Sequence, residues 1–106
     1  MITIDDFSKV ELRVGTVLEA EEVVGSEKLI KQIVDFGDLG EKQILSGIKQ
    51  WYKPSQLIGK QFIYVVNLEP RIMMGFESQG MLLAAEGKKP TILKPTIKVA
   101  AGSKIR

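Results

Sequence analysis

Apolar and polar positions alternate from Lys9 to Ala20: Val10, Leu12, Val14, Thr16, Leu18 and Ala20 stand against Lys9, Glu11, Arg13, Gly15, Val17 and Glu19. A period of two sustained that long predicts a long strand. Gly15 in its middle predicts a sharp bend, as a strand needs when it serves both sides of a small barrel. Ser26 and Glu27 begin a turn, and Leu29 to Phe36 read as a second strand. Gly37-Asp38-Leu39-Gly40 is a hairpin loop before a short third strand, Gln43 to Ser46. Ile48, Trp51 and Tyr52 then recur at helical spacing, and the helix they predict ends near Lys53, which Pro54 pushes toward an extended conformation.

Lys60 to Leu68 is apolar on both faces, the pattern of a central, buried strand. Gly80 to Ala85 reads as a fifth. Thr91 to Lys94 and Ile97 to Ala100 read as one or two short strands made edge-like by Pro90 and Pro95. The pattern predicts an all-β chain: a five-stranded Greek-key barrel of the oligonucleotide- and oligosaccharide-binding (OB) type, with a short helix between strands 3 and 4 and a C-terminal strand extension. With 106 residues and no repeat or linker, a single domain is expected, the barrel over about residues 1–86 and the extension over about 87–106. Ile92, Leu93, Ile97 and Val99 make that extension too apolar to stay uncovered, so a homodimer is expected.

Composition removes most chemistry. There is no histidine and no cysteine, so Ser-His-Asp and Cys-His catalysis and His- or Cys-based zinc sites are excluded. Asp35, Asp38 and Glu41, and likewise Glu19, Glu21 and Glu22, lack the spacing of a calcium loop and read as solvated surface. Asp35-Phe36-Gly37 matches a kinase metal-binding string, but no glycine-rich or catalytic loop accompanies it. No catalytic residue, metal or cofactor is expected. The acidic N-terminus lacks the apolar core of a signal peptide, and no run is long enough to cross a bilayer, so no membrane partner and a reducing, cytoplasmic setting are expected.

Net charge is +2, but unevenly spread: residues 1–25 carry six acidic and two basic side chains, residues 81–106 one acidic and six basic. A basic tail is compatible with a polyanionic partner and equally with a solubilising face.

Several separate strings, in order, carry a resemblance. They are Asp6-Phe7-Ser8-Lys9-Val10-Glu11-Leu12-Arg13-Val14-Gly15, Gly25-Ser26-Glu27-Lys28-Leu29, Ser46-Gly47-Ile48, Asn67-Leu68-Glu69-Pro70-Arg71 and Glu77-Ser78-Gln79-Gly80-Met81. Together they resemble, over nearly the whole chain, a tRNA-binding domain family. Its members occur as a stand-alone dimeric protein, as the C-terminal module or beta subunit of methionyl-tRNA synthetases, in a monocyte-activating cytokine and in a bacterial secretion chaperone. The resemblance implies an OB barrel with an extension that helps form a homodimer. It also implies structure-specific, non-catalytic tRNA binding at the outer corner of the L, alone or with methionyl-tRNA synthetase.

Carried over residue by residue, the resemblance implies tRNA contact at Ser78 and Met81, with Gln79 beside them, at Arg71 after the Asn-Leu-Glu-Pro string, and at Lys28 and Lys31. The chemistry fits: a folded tRNA is read through shape, phosphate and 2′-hydroxyl contacts, which suit short polar side chains and forked arginines. Each residue also has a plainer role. Met81 serves core packing equally well, Met73 and Met74 serve as gap-fillers, Trp51 and Tyr52 serve to pack a helix on the barrel, and Lys28 and Lys31 serve as surface lysines. Relatives commonly place a second basic residue after the arginine, where this chain has Ile72-Met73-Met74; that removes a cation from the expected RNA face. The methionines suit the chaperone branch, which binds unfolded peptides through apolar surface. The intact Ser78-Gln79-Gly80-Met81 string favours tRNA.

Overall fold

The computed structural model describes residues 1–106 and has the expected all-β sheet, although along β1 the buried positions depart from the expected alternation. After a one-turn helix α1 (Ile4–Phe7), strand β1 (Leu12–Glu22) runs antiparallel to both β2 (Ile30–Asp35) and β4 (Gln61–Val65). Strand β3 (Glu41–Ser46) pairs with β2, and β7 (Met81–Leu82) with β4, giving the order β3-β2-β1-β4-β7. That order, curled until β3 approaches β7, is an OB-type barrel. Two small hairpins complete it: β5 (Arg71–Met73) with β6 (Phe76–Ser78), and β8 (Ala84–Ala85) with β9 (Thr91–Ile92). No helix is long and apolar enough to cross a membrane.

The irregularity in β1 is a register slip between Val17 and Glu19, at Leu18, three residues beyond the expected bend at Gly15. The slip reverses the alternation: Val17 is fully buried, while Leu18 faces out. Gly15 has another task, since a Cβ there would overlap Val34 and the Phe36 ring. The spacing of Ile48, Trp51 and Tyr52 yields one turn, with Trp51 N and Tyr52 N both donating to Ile48 O at 3.0 Å. The helical element between β3 and β4 is instead a 3-10 turn at Pro54–Gln56, which starts at the proline because its ring favours the first position of a turn. Residues 97–100, expected as a strand, form none; Val99 is held by a side chain of β4, described below.

Val17, Ile30, Val34, Ile44, Ile48, Leu57, Phe62, Phe36 and Tyr64 form the core, with the last two rings edge to face at 5.3 Å between centroids. One polar chain crosses it. Tyr64 Oη donates to Gln32 Oε1 (2.7 Å), and Gln32 Nε2 donates to Ser46 Oγ (2.9 Å). Burial pushes the Tyr64 phenol well above its ordinary range.

The barrel closes through three side chains and one backbone bond. No backbone ladder joins β3 to β7. Ser78 Oγ accepts from Leu45 N (3.0 Å) and donates to Gly80 O (3.1 Å). Gln79 Oε1 accepts from Gln43 N (2.8 Å), Gln79 N donates back to Gln43 O (2.8 Å), and Gln43 Nε2 donates to Glu77 O (2.9 Å). The edge amides of β3 are thereby satisfied by Glu77-Ser78-Gln79, a substitute for the missing strand. Gly80 must follow: a Cβ there would stand 2.7 Å from Val65 O and 2.9 Å from Ile44 Cδ1.

Ser78→Ala leaves the buried Leu45 N–H without an acceptor. The expected cost is about 1–3 kcal/mol, read as a fall in urea midpoint; an unchanged midpoint would mean that the edge is satisfied another way. Tyr64→Phe likewise orphans Gln32 Oε1 and should lower stability by about 1–3 kcal/mol at neutral pH. Its pH profile is a sharper check. Because the folded phenol titrates above the unfolded one, its contribution is complete below about pH 10 and is lost above it at about 1.4 kcal/mol per pH unit. Unfolding titrations from pH 8 to 11 should show that loss in the wild type and a shallower one in Tyr64→Phe.

Candidate nucleic-acid interface

Two loops pack together over one end of the barrel. The β1–β2 loop is fixed by Ser26, whose Oγ accepts from Lys28 N (3.2 Å) and Leu29 N (3.1 Å), while Lys49 Nζ donates to Ser26 O (2.6 Å). That is a serine turn, and it explains the Gly25-Ser26-Glu27-Lys28-Leu29 string. The β5–β6 hairpin turns through Met74 (φ +52°) and Gly75 (φ +80°). A two-residue loop with both φ values positive matches the right-handed twist of its strands.

Beneath the hairpin, Met73 packs on a small cluster of Val23, Leu29 and Leu45. Above it, Lys31 Nζ lies 4.5 Å from the Phe76 ring centroid and 2.7 Å from Glu21 Oε1. A Cβ on Gly25 would come within 3.8 Å of Met74 Cε, so the two loop tips are in near contact. The loops form one lobe.

The six expected contact residues divide by what already holds them. Lys28 and Arg71 are exposed, and neither side chain has an ion-pair partner in the protein. Lys31 is on the same lobe, but its charge is met by Glu21 and the Phe76 ring. Ser78 is only 4% exposed and both capacities of its hydroxyl are engaged with backbone. Gln79 commits its Oε1 to Gln43, leaving its Nε2 without a protein partner. Met81 is half exposed, on the wall of a surface groove of about 850 Å³ that Trp51, Gly47 and Leu83 also line. Ile72 is 69% exposed.

Two features escaped the sequence reading. Trp51 was expected to pack a helix on the barrel, yet it is exposed beside the groove, while Tyr52 turns inward and its hydroxyl donates to Pro90 O (2.7 Å). Asn67 is a clamp: its Oδ1 accepts from Glu11 N (2.8 Å) and its Nδ2 donates to Lys9 O (2.6 Å). It ties the entry of β1 to the exit of β4, so the Asn-Leu-Glu-Pro string positions Arg71 from a fixed base. An asparagine next to a strand end was the available signal, since one amide can mimic a paired strand on both hydrogen-bonding sides.

Comparison with known proteins places this architecture. The family model described as "Putative tRNA binding domain" matches residues 12–104. The methionine–tRNA ligase of Caldanaerobacter subterraneus subsp. tengcongensis is 53% identical over 98% of the chain, which corresponds to 16% of that protein. The methionine–tRNA ligase of Methanocella arvoryzae is 46% identical over 99% of the chain. This chain thus spans about a sixth of the length of such curated relatives, 15% in the Methanocella case. Among solved structures, a MetRS-related protein from Pyrococcus horikoshii superposes with a TM-score of 0.94 at 41% identity, covering 100% of this chain and 98% of that one. The chaperone CsaA of Bacillus anthracis superposes with a TM-score of 0.91 at 37% identity, covering 100% and 99%. By sequence match and by fold, the chain belongs to the tRNA-binding domain family.

Proposed function

We propose that this chain is a non-catalytic, cytoplasmic tRNA-binding module that recognises the shape of a folded tRNA, alone or alongside methionyl-tRNA synthetase. The observation that carries the reading is the lobe made by the β1–β2 loop and the β5–β6 hairpin. It offers Lys28 and Arg71 as cations without carboxylate partners, on loops locked in place before any ligand arrives. Preorganised cations beside an open barrel face suit phosphate contacts, and Gln79 Nε2 adds a donor for a 2′-hydroxyl or phosphate oxygen. Met81 and Trp51 supply an apolar wall on which an unpaired base could rest. In this reading Ser78 acts indirectly, by holding the turn, and Lys31 acts by tethering the hairpin through Phe76.

A second reading has one observation in its favour. The likeness to the CsaA chaperone extends over the full chain, and Ile72 and Met74 present apolar surface on the hairpin. Such a surface suits an unfolded peptide. Displacement of bound tRNA by a reduced, unfolded polypeptide would support it.

The protein is also proposed to be a homodimer. Of the apolar extension, Ile92 packs on the core and Val99 is half buried, leaving Leu93 and Ile97 outside. A larger apolar surface lies at the other end of the chain, where Ile2, Ile4, Phe7 and Val10 are all exposed. Helix α1 is capped at Thr3, whose Oγ accepts from Asp6 N (3.1 Å), yet buries none of its residues. A four-residue helix has little stability of its own, so a second copy is the natural cover for that face.

Arg71→Ala should weaken all tRNAs alike and flatten the log–log salt dependence of binding by about 0.7 to 0.9, the loss of one phosphate contact. Gel-shift titrations between low and moderate potassium chloride check it, and strong preference of the wild type for one tRNA species would contradict the shape-reading model. Light scattering should give twice 11.8 kDa, falling to one chain mass in an Ile4→Glu/Phe7→Glu variant. A monomeric wild type at micromolar concentration would rule the dimer out.

A further inference from the structure

The chain after β9 is pinned at two places. Leu93 N donates to Leu83 O (3.1 Å), and Leu93 O accepts from Ile63 N (3.2 Å). Further on, Gln61 grips Val99 with both ends of its amide: Nε2 donates to Val99 O (2.6 Å) and Oε1 accepts from Val99 N (3.0 Å). The same Nε2 donates to Thr16 Oγ1 (3.0 Å), which fixes the Gln61 rotamer. Between the pins, the segment Lys94–Lys98 bounds a groove of about 320 Å³ at the start of β4.

Lys60, Lys94 and Lys98 all line that groove, and no aspartate or glutamate does. None of the three forms an ion pair; the chain's salt bridges belong to Lys9, Arg13 and Lys31. An adjoining groove of about 290 Å³ shares Lys60 and Lys94 and adds Tyr52 and Gln56. Lys89 extends the strip, its Nζ 6.0 Å from the Tyr52 ring centroid. Residues 1–80 carry twelve acidic and nine basic side chains, so the basic excess lies in the C-terminal segment, of which Lys94 and Lys98 line this groove. Ammonium groups set around one groove without a carboxylate repel one another and draw in anions. Phe62, the aromatic residue in the lining, is buried in the core and gives a base nothing to stack on. The groove is built for charge, and compact lysine ammoniums suit single phosphate oxygens.

We propose that the Lys60–Lys94–Lys98 groove is a second contact for the RNA sugar-phosphate backbone, separate from the Lys28–Arg71 lobe and read without regard to sequence. The inference rests on the tRNA-binding reading above and extends it. None of the groove's lining residues belongs to the lobe. It therefore adds its own phosphates to the count, and its contribution is independent of Arg71.

The test compares the wild type, Arg71→Ala, and a Lys60→Gln/Lys94→Gln/Lys98→Gln variant of the full chain in tRNA titrations across potassium chloride concentrations. A Lys9→Gln/Lys42→Gln/Lys53→Gln variant controls for net charge, and thermal melting controls for folding. The groove variant should flatten the salt slope by about 2 and weaken binding at about 0.1 M salt on the order of 10- to 100-fold. Adding Arg71→Ala should flatten the slope further by about the amount it removes from the wild type. An unchanged slope in the groove variant, with Arg71→Ala still effective, overturns this proposal and leaves the tRNA reading standing. An equal loss in the control variant overturns it too, by making the effect one of diffuse charge. Absence of tRNA binding by the wild type overturns both. Inorganic tripolyphosphate, followed by amide shifts at Lys94–Lys98, identifies the remaining case: strong binding there with an unaltered tRNA slope assigns the groove to a free polyphosphate instead of RNA.

Discussion

An open sheet edge has to be satisfied before an OB barrel can exist as a free-standing unit, and here the task falls to three residues. Ser78 and Gln79 offer side-chain oxygens to the amides of Leu45 and Gln43, and Gln43 returns a bond to Glu77 O. A ladder would need β7 to run longer. Instead β7 is two residues, and the polar turn before it closes the gap. Everything near the candidate face hangs from this seam. The β5–β6 hairpin ends in Ser78, its Met73 rests on the cluster that includes Leu45, and Met81 starts the strand that the seam delivers. The polar string that looks most like a ligand-contacting turn is first of all the lock of the barrel.

The strands and the barrel class were readable from apolar patterning and turn residues, but β2 looked irregular in sequence and only the structure shows that it buries Ile30, Gln32 and Val34 in strict alternation. Gln32 breaks that pattern with a polar side chain, and its partners Tyr64 and Ser46 come from distant parts of the chain, so its burial could not be read locally. The slip at Leu18 was hidden for a related reason: a bulge conserves composition while reversing parity, and Val17 and Leu18 are equally apolar. The site was legible as a set of loops and much less as a set of free groups. Nothing in the residues between Lys28 and Lys31 says that one stays unpaired while the other meets Glu21 and Phe76; that is decided by Lys28 lying in the β1–β2 loop, Lys31 on β2, and the hairpin being laid over Lys31.

Other strings that mark the family have the same double character. Glu11 and Arg13 form an ion pair at 2.8 Å, and Arg13 reaches on to donate to Gly102 O (2.9 Å). A Cβ on Gly37 would overlap Ala101 O and one on Gly102 would overlap Phe36 O, so neither glycine could carry one, and the C-terminal segment lies against the end of β2. Asn67 secures the start of β1. These contacts concern fit between parts of one chain. A family string therefore marks where the fold is least tolerant, and a ligand contact has to be sought among the groups the fold leaves unsatisfied.

That criterion separates stability from affinity within a single hairpin. Met73 and Ser78 are committed inward, to packing and to the seam, whereas Arg71, Ile72 and Met74 are exposed and bear no part of the closure. Charge can be added or removed at the outward positions without touching the Leu45 or Gln43 amides. The balance between a cationic and an apolar surface on this lobe is consequently set by side chains that take no part in the seam. One scaffold can then carry a face suited to phosphate in one relative and a face suited to apolar peptide in another. In this chain Arg71 followed by Ile72-Met73-Met74 holds an intermediate position, one cation beside an apolar tip. Under the proposed function, phosphate contacts beyond Lys28 and Arg71 would fall to other cations, among them the unpaired Lys60, Lys94 and Lys98 around one groove.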